Sequence, residues 1–331
     1  MIKKILITGG AGFIGFHLAR RLLNEGHYVS ILDNFSRGVE DQELKKIVAC
    51  DNASLVNLNL LDKQDLLELD KDFDIIFHLA AIIGVKHVLA NPYNVLYDNI
   101  QVLANMIEFA CNQKKLSRFF FASTSEVYAG TLKNFQLPVP TPETIPLATT
   151  DLSEPRTSYM LSKIYGEALC HHAGIPYTIF RPHNIYGPRM GMAHVIPEQL
   201  NKAHTADDGD QVDVFSVDHM RSFCFVDDAV EFLVRMSFRD ECAGKTLNLG
   251  SQTPEISMKE LVEICHKIVG KNLKISAKPA SPGSPPRRAP DMTQTTQLTE
   301  YQPQVGLEEG IKRTYEWYRS YVFNSNDKSA V

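Results

Sequence analysis

The apolar strand ILIT (residues 5–8) runs without a break into TGGAGFIG, placing Gly9, Gly12 and Gly15 at a strand-to-helix turn. This junction constrains the chain more than any other stretch. Gly9 permits the tight turn, Gly12 lets backbone approach a pyrophosphate, and Gly15 lets the helix pack close to the strand. The helix then starts at Phe13 and Ile14, where unpaired N–H groups face outward and favour phosphate. The next strand, YVSILD, ends at Asp33, roughly twenty residues on, where a carboxylate accepts from ribose hydroxyls and repels a 2′-phosphate. That pairing predicts a dinucleotide site for NAD in preference to NADP. Arg37 is near enough in sequence to neutralise such a phosphate, although a solvated loop arginine is the plainer expectation.

The rest of the first half fits the same architecture. Strand candidates fall near residues 2–9, 28–33, 54–60, 74–80, 118–123 and 176–182, alternating with helix-period stretches. One such stretch carries Val95, Leu96, Asn99, Ile100, Leu103, Met106, Ile107 and Ala110 near i, i+3, i+4, i+7 spacing, which predicts a helix over 95–111. Alternation of this kind predicts an α/β fold with a doubly wound parallel sheet. Beyond residue 182 the order loosens into a strand-like GDQVDVFS, a helix FVDDAVEFLVRM, a strand KTLNLG and a helix SMKELVEICHKIV. The expected division is a dinucleotide-binding domain over 1–182, rejoined by later segments such as 212–251, and a smaller α+β substrate domain over 183–323. The stretch SPGSPPRRAP (281–290) is expected to be an irregular loop, because its prolines fix φ and lack donors, and 324–331 to be a frayed tail.

Composition narrows the function classes. With 331 residues, 44% of them hydrophobic, the chain can bury a large core. A net charge of -5 and dispersed Lys and Arg argue against a nucleic-acid partner. No apolar run is long enough to span a bilayer and MIKK leads directly into the first strand, so a cytoplasmic location and no membrane partner are expected. Six scattered cysteines form no CxxC pair and no metal-ligand spacing with histidine, so reduced thiols and no metal are expected.

The reacting centre is read from two later segments. STSEVY (123–128) follows an apolar strand, and SYMLSK places Tyr159 and Lys163 at i, i+4 on one face of a helix. A tyrosine with a pKa of about 10 is phenolate in only about one molecule in a thousand at neutral pH. Lys163 and a positive nicotinamide would both favour the anion, and a shift of about three units corresponds to roughly 4 kcal/mol. Thr124 at the strand end is positioned to share the proton of the same hydroxyl. The pair alone is also what an ordinary amphipathic helix presents; its combination with the glycine turn and Asp33 carries the reading.

TGGAGFIG, DNFSRG, FHLAA, FASTSEVY, SYMLSK, RPHNIYGPRMG, RSFCFVDD and RRAPD occur in the order found in extended short-chain dehydrogenase/reductases. The chain resembles their NAD-dependent nucleotide-sugar epimerase/dehydratase branch. The resemblance implies Thr124, Tyr159 and Lys163 as the catalytic trio, with Tyr159 taking a proton as the sugar is oxidised at C4. It implies that NAD also meets Asn34, Ser36 and Arg37 after the second strand, Asn59 and Leu60 after the third, and Leu79, Ala80 and Ala81 after the fourth. Asn99 and Ser123 complete that implied cofactor set. For the nucleotide-diphosphate sugar it implies Ser125, Asn184, Arg221 and Arg288, the arginines because a guanidinium fork matches phosphate. It also implies a homodimer through the 95–111 helix and the helix starting near Ser158, with Leu103, Met106, Ile107 and Phe109 as the apolar hint. Two positions depart from the family pattern: Asn59 replaces a common acidic residue, and Phe16 stands where a small serine is usual.

The reaction itself stays open at this level. A C4 ketone acidifies neighbouring C–H bonds and labilises a carboxylate one carbon further on. Glu126, two residues past Thr124, is placed to act as a base toward C5, which favours dehydratase chemistry. Many dehydratases of the family carry Asp where this chain has Ser125, and the STSE string also occurs in dehydratases and decarboxylases of the family that lack that Asp. C4 epimerase, nucleotide-uronic-acid decarboxylase and a silent NAD-binding regulator are the alternatives, and Glu126 as a plain ion-pair partner is the simplest structural one. His78, His183, His194 and His219 are expected to serve packing or to face solvent.

Overall fold

A computed structural model describes residues 1–280 and 285–324. The first half lays down six strands in turn, β1 (Lys4–Thr8), β2 (Tyr28–Asp33), β3 (Ala53–Asn57), β4 (Ile75–His78), β5 (Arg118–Ala122) and β6 (Tyr177–Pro182). Between them run α1 (Phe13–Asn24), α2 (Gln42–Val48), α3 (Lys63–Leu67), α4 (Val85–Ala90), α5 (Pro92–Cys111), α6 (Ala129–Asn134) and α7 (Thr157–His172). Four short strands follow: β7 (Ile185–Tyr186), β8 (Gln211–Phe215), β9 (Met220–Ser222) and β10 (Cys224–Phe225). Then β11 (Lys245–Leu249) returns to pair in parallel with β6. The main sheet has the order β11-β6-β5-β4-β1-β2-β3, and every pairing in it is parallel. It is a Rossmann-like α/β fold. Chain order reverses between β1 and β4, and the crevice past the carboxyl ends of those strands is where such sheets take ligands.

Period-two alternation decides which core each strand residue enters. Ile5, Ile7, Ile31, Phe77, Phe120 and Phe180 face one core, shared with α1 and with α9 (Val226–Ser237). Leu6, Leu32, Ile76, Phe119, Phe121 and Ile179 face the opposite core, covered by α5 and α7. Leu103, Met106 and Phe109 of α5 are buried in that second core and Ile107 packs against it. Their apolar character therefore serves the chain's own sheet and is no sign of a subunit contact. The remaining elements are α8 (Val195–Thr205), β12 (Glu255–Ser257), α10 (Met258–Val269), β13 (Lys274–Lys278), β14 (Arg287–Arg288), α11 (Thr293–Thr299) and α12 (Leu307–Tyr318). Helix α10 starts at a full capping box, Ser257 with Glu260, and ends at Gly270 in the left-handed conformation.

Two expectations shift. Helix α5 begins at Pro92 rather than at residue 95, since proline suits the first helical position, where its missing N–H costs nothing. The stretch 281–290 is not all irregular: Arg287 and Arg288 pair with β9, and the Pro286 carbonyl accepts from Met220 at 2.8 Å. Proline lacks a donor but keeps its carbonyl, so two prolines can lead into a short strand whose donors come from the arginines. Residues 281–284, and the expected tail beyond residue 324, lie outside the described residues.

Gly15 is the tightest point of the glycine turn, because a Cβ there would sit 2.3 Å from the Gly9 carbonyl oxygen. Gly15→Ala should therefore force α1 away from β1, lowering stability by about 1–3 kcal/mol. A thermal melt should register this as a fall in Tm of several degrees, and an unchanged Tm would refute the packing role.

Candidate active site

The glycine turn closes as the sequence requires. Gly9 has φ +68°, and a Cβ on it would meet the Ala80 nitrogen at 2.9 Å, so β4's following residues Leu79 and Ala80 press directly on the turn. Gly12 caps α1 with no side-chain hydrogen bond, leaving the first-turn amides of Phe13 and Ile14 facing the crevice without a side-chain cap. Asp33 is buried, accepting from the Ala11 amide at 3.0 Å and from the Phe35 amide at 2.9 Å. Burial raises its pKa and those two bonds oppose the rise. A fixed, buried carboxylate beside an open glycine cradle fits an adenosine ribose and a pyrophosphate, so the residues present suit a dinucleotide.

Other predicted cofactor residues act less directly. Asn99 spends both ends of its amide on Ile82, accepting from its N–H at 2.7 Å and donating to its carbonyl at 3.0 Å. It clamps the loop that continues from Ala81. The Ser123 hydroxyl is committed to Glu167 at 2.5 Å. Asn59 accepts from the Leu61 amide at 3.2 Å, an Asx turn on its own loop, and Leu60 is buried beside it with its carbonyl held by Asn105 at 2.8 Å. Asn34 likewise accepts from the Ser36 amide at 3.0 Å. Arg37 is exposed, as expected of a loop arginine, yet its charge lowers the pKa of both Tyr159 and His194.

Thr124 ends the run from β5 and caps a 3₁₀ turn over Ser125–Tyr128, accepting from the Glu126 amide at 3.2 Å. Its side chain is near enough to the Tyr159 phenol from α7 to lower that group's pKa, so the two predicted partners come together. Lys163 has a partner besides the phenol. Its ammonium donates to the Ala122 carbonyl at 2.8 Å and lies 5.8 Å from the Tyr159 ring centre. Burial lowers its pKa to about 8. The Tyr159 pKa is raised, chiefly by burial and then by the Glu126 charge, while Thr124 and Arg37 pull it down. Lys163, at cation–π distance from the ring, and Arg37, through its charge, are thus two positive groups near the phenol.

The substrate-side residues also converge, in an arrangement that sequence spacing does not reveal. Glu126 and Arg288 form an ion pair at 2.7 Å across 162 positions of chain. Despite burial, which raises it, the Glu126 pKa is lowered by Arg288 and further by Arg156 and Arg221. Arg288 is thus engaged with a carboxylate rather than pointing away toward a diphosphate, and its Nε is a buried donor with no partner. Arg221 donates to the Met220 and Pro285 carbonyls, both at 2.7 Å. Burial and Arg288 lower its pKa to about 10. Asn184, at φ +43°, donates its amide to the Ser222 carbonyl at 2.9 Å, which leaves its oxygen for another partner. Ser125 is buried in the 3₁₀ turn. Arg156, just before α7, was not singled out in the sequence; the signal for it was its position three residues before Tyr159 in SYMLSK's helix.

Beneath these groups lies a buried network that sequence reasoning also missed. Arg181 of β6 forks onto Glu167 at 2.8 and 2.6 Å and donates to Tyr128 at 2.7 Å. Tyr128 and His183 both reach the Asn248 oxygen, at 3.0 and 3.1 Å. Asn248 gives its amide hydrogens to Thr141 and Asp291 carbonyls. Its oxygen therefore accepts, and His183 carries its proton on Nε2. Burial holds the His183 pKa to about 3, so the ring stays neutral. His78 is a core residue bonded to Thr8 at 2.9 Å.

Residues 5–250 match the NAD dependent epimerase/dehydratase family. The chain belongs to that family. NAD is its cofactor. The chain is 35% identical to a UDP-N-acetyl-alpha-D-glucosaminuronate decarboxylase of Bacillus cytotoxicus, over 96% of this chain and 98% of that one. Its fold superimposes on a UDP-glucose 4-epimerase of Thermotoga maritima with TM-score 0.82 at 26% identity, covering 96% and 99% of the two chains. A UDP-glucuronic acid 4-epimerase of Bacillus cereus, solved with UDP-glucuronic acid and NAD, gives TM-score 0.79 at 25% identity over 96% and 99%. Family members include epimerases, decarboxylases and dehydratases. Among the described residues no helix is long and apolar enough to cross a membrane, and no cluster of His, Cys, Asp or Glu is placed to hold a metal ion.

Tyr159→Phe removes the one hydroxyl that Thr124 shares and leaves the glycine turn untouched. It should reduce turnover at least about a hundredfold, the lower range for loss of a general acid-base group. NAD affinity measured by calorimetry should stay within about twofold. Normal turnover in that variant would remove Tyr159 from the chemistry.

Proposed function

We propose that this chain is an NAD-dependent nucleotide-uronic-acid decarboxylase working through a 4-keto sugar. The observation that carries the reading is the Glu126–Arg288 ion pair. Sequence reasoning favours Glu126 as the base that removes the C5 proton. A carboxylate locked to a guanidinium, with its pKa lowered by three arginines, is a weak base, and Ser125 offers no carboxylic acid for a departing C6 hydroxyl. Decarboxylation needs neither. NAD would supply the acceptor for the C4 hydride and return it to C4 after carbon dioxide has left; while C4 is a ketone, the C6 carboxylate is that of a β-keto acid. The C5–C6 bond then breaks, carbon dioxide leaves, its bonding pair becomes a C4–C5 enolate, and C5 takes a proton.

In this reading the chain's residues divide the work. Tyr159 takes the proton of the C4 hydroxyl and returns it, with Thr124 fixing the phenol. Arg288, Arg221 and Arg156 give a region of positive charge where a second carboxylate can enter beside Glu126, and Glu126 discourages that carboxylate from settling as a plain ion pair. Asn184 and Ser125 supply polar contacts to the sugar. The decarboxylase named among the relatives supports the assignment. An NAD-binding regulator without turnover is disfavoured, since Thr124 and Tyr159 come together at the end of β5 with Lys163 beside the phenol.

The test is product analysis by mass spectrometry after incubation with UDP-glucuronate, UDP-N-acetylglucosaminuronate and the corresponding neutral sugars. Loss of carbon dioxide, with a single solvent deuterium at C5 when run in deuterium oxide, is the expected result. Loss of water from a neutral sugar, or unchanged mass with inverted C4, would overturn it in favour of dehydratase or epimerase.

A homodimer is also part of the proposal, on a face different from the one the apolar residues of α5 suggested. Tyr93 and Tyr97 stack at 6.0 Å on the outer side of α5 and are 74% and 54% exposed, with Leu89 and Tyr165 exposed as well. These side chains lie on α4, α5 and α7 and are apolar surface suited to a second copy. Light scattering should give a dimer at micromolar concentration, and Tyr97→Glu should shift it to monomer; a monomeric wild type would refute the contact.

A further inference from the structure

Phe16, the family departure in the first turn of α1, is fully buried. Its ring carries the Arg189 guanidinium, 4.0 Å from the centroid. Arg189 lies in the turn after β7 with its backbone in the left-handed region, φ +68°, a conformation that a side chain of this size takes only when its surroundings hold it there. That side chain is 5% exposed. Its guanidinium bonds the Asp41 carboxylate and lies 3.6 Å from Glu43. It also reaches the Ala11 carbonyl at 3.5 Å and the Val39 carbonyl at 3.4 Å.

Those acceptors bracket the cofactor pocket. Ala11 belongs to the glycine turn, and its amide is one of the two that hold the Asp33 carboxylate. Val39 and Asp41 end the loop that Asp33 begins, and Asp41 caps α2 through the Leu44 amide at 2.8 Å. Glu43 is fixed a second time by Trp317 of α12 at 2.7 Å. The turn that carries Arg189 is held in its own right: His17 lies 2.9 Å from the Pro188 carbonyl, and Tyr318 donates to Met190.

We propose that Arg189, stacked on Phe16, is a positioning residue that sets NAD affinity by holding the Ala11 and Val39–Asp41 edges of the adenosine-ribose pocket at a fixed separation. A planar guanidinium serves several acceptors in one plane while its face lies on an aromatic ring, and in a buried site both interactions gain strength. A lysine ammonium cannot do both. The contacts of Arg189 go to the cofactor side and none goes to Thr124, Tyr159 or Glu126. Its loss should therefore act on binding and spare the chemical step.

The experiment uses the full chain stripped of nucleotide, with NAD binding followed by calorimetry and by fluorescence of Trp317, the single tryptophan. Arg189→Met, which keeps an apolar stem over Phe16, should raise the Kd for NAD at least about tenfold, and Phe16→Leu about threefold. The KM for NAD should rise in parallel while kcat at saturating NAD stays within about twofold, a split that general loss of structure would not give. Combining the two changes should weaken binding little beyond Arg189→Met alone, because they remove one shared contact. A Kd within twofold of wild type, a fall in kcat with Kd unchanged, or full additivity would overturn the proposal. If Arg189→Met does not fold, Arg189→Lys and Phe16→Leu decide the question by the same readouts. Because NAD binding is measured without sugar, the outcome is independent of which sugar reaction the chain performs.

Discussion

The buried fork between Arg181 and Glu167 is the interaction on which the rest of the site depends. It joins β6 to α7, the helix that carries Tyr159 and Lys163, and through Ser123 it reaches the end of β5, where Thr124 and Glu126 begin. Through Tyr128 and Asn248 it extends to β11. Two charges taken out of water gain little net stability, but removing one partner leaves the other buried and unpaired, at a cost of about 3–5 kcal/mol. Such a pair fixes geometry more than it adds stability. Here the geometry concerned is the contact of Thr124 with Tyr159.

Charge is arranged in layers above that platform. Lys163 is tied to a strand carbonyl and lies within cation–π distance of the Tyr159 ring, and burial lowers its pKa to about 8. Arg37, an exposed residue of the loop after β2, adds a second positive charge that lowers the phenol pKa. Arg288 and Arg221 come from two paired strands of the C-terminal half, β14 and β9, and hold Glu126 ionised. The phenol, the carboxylate and the arginines thus reach one crevice from separate parts of the chain, and each shifts the protonation of the next.

The two halves are bound at both ends of the crevice. At the reacting end Asn248 of β11 bonds Thr141 and Asp291 carbonyls, joining the sheet to the loops around it. At the dinucleotide end Arg189, Trp317 and Tyr318 hold the glycine turn and the loop after β2 against α12. Opening either end would expose charges that are buried when it is closed.

The amino-acid sequence by itself determined what depends on neighbours along the chain. Gly9, Gly12 and Gly15 at a strand-to-helix junction, Asp33 at the end of the next strand, and Tyr159 with Lys163 one turn apart are local relations fixed by backbone geometry and helical period, and each is legible from spacing. The parallel sheet follows equally from its apolar strands alternating with helices. Only the tertiary structure decided what each side chain meets. Ser123 and Asn99 proved to serve Glu167 and Ile82, Lys163 turned to a carbonyl, Leu103 and Met106 entered the chain's own core, and Glu126 found Arg288 far along the chain. A hydrogen bond or ion pair depends on distances of a few ångströms between atoms brought together by packing, and periodicity carries no information about which distant residue arrives there.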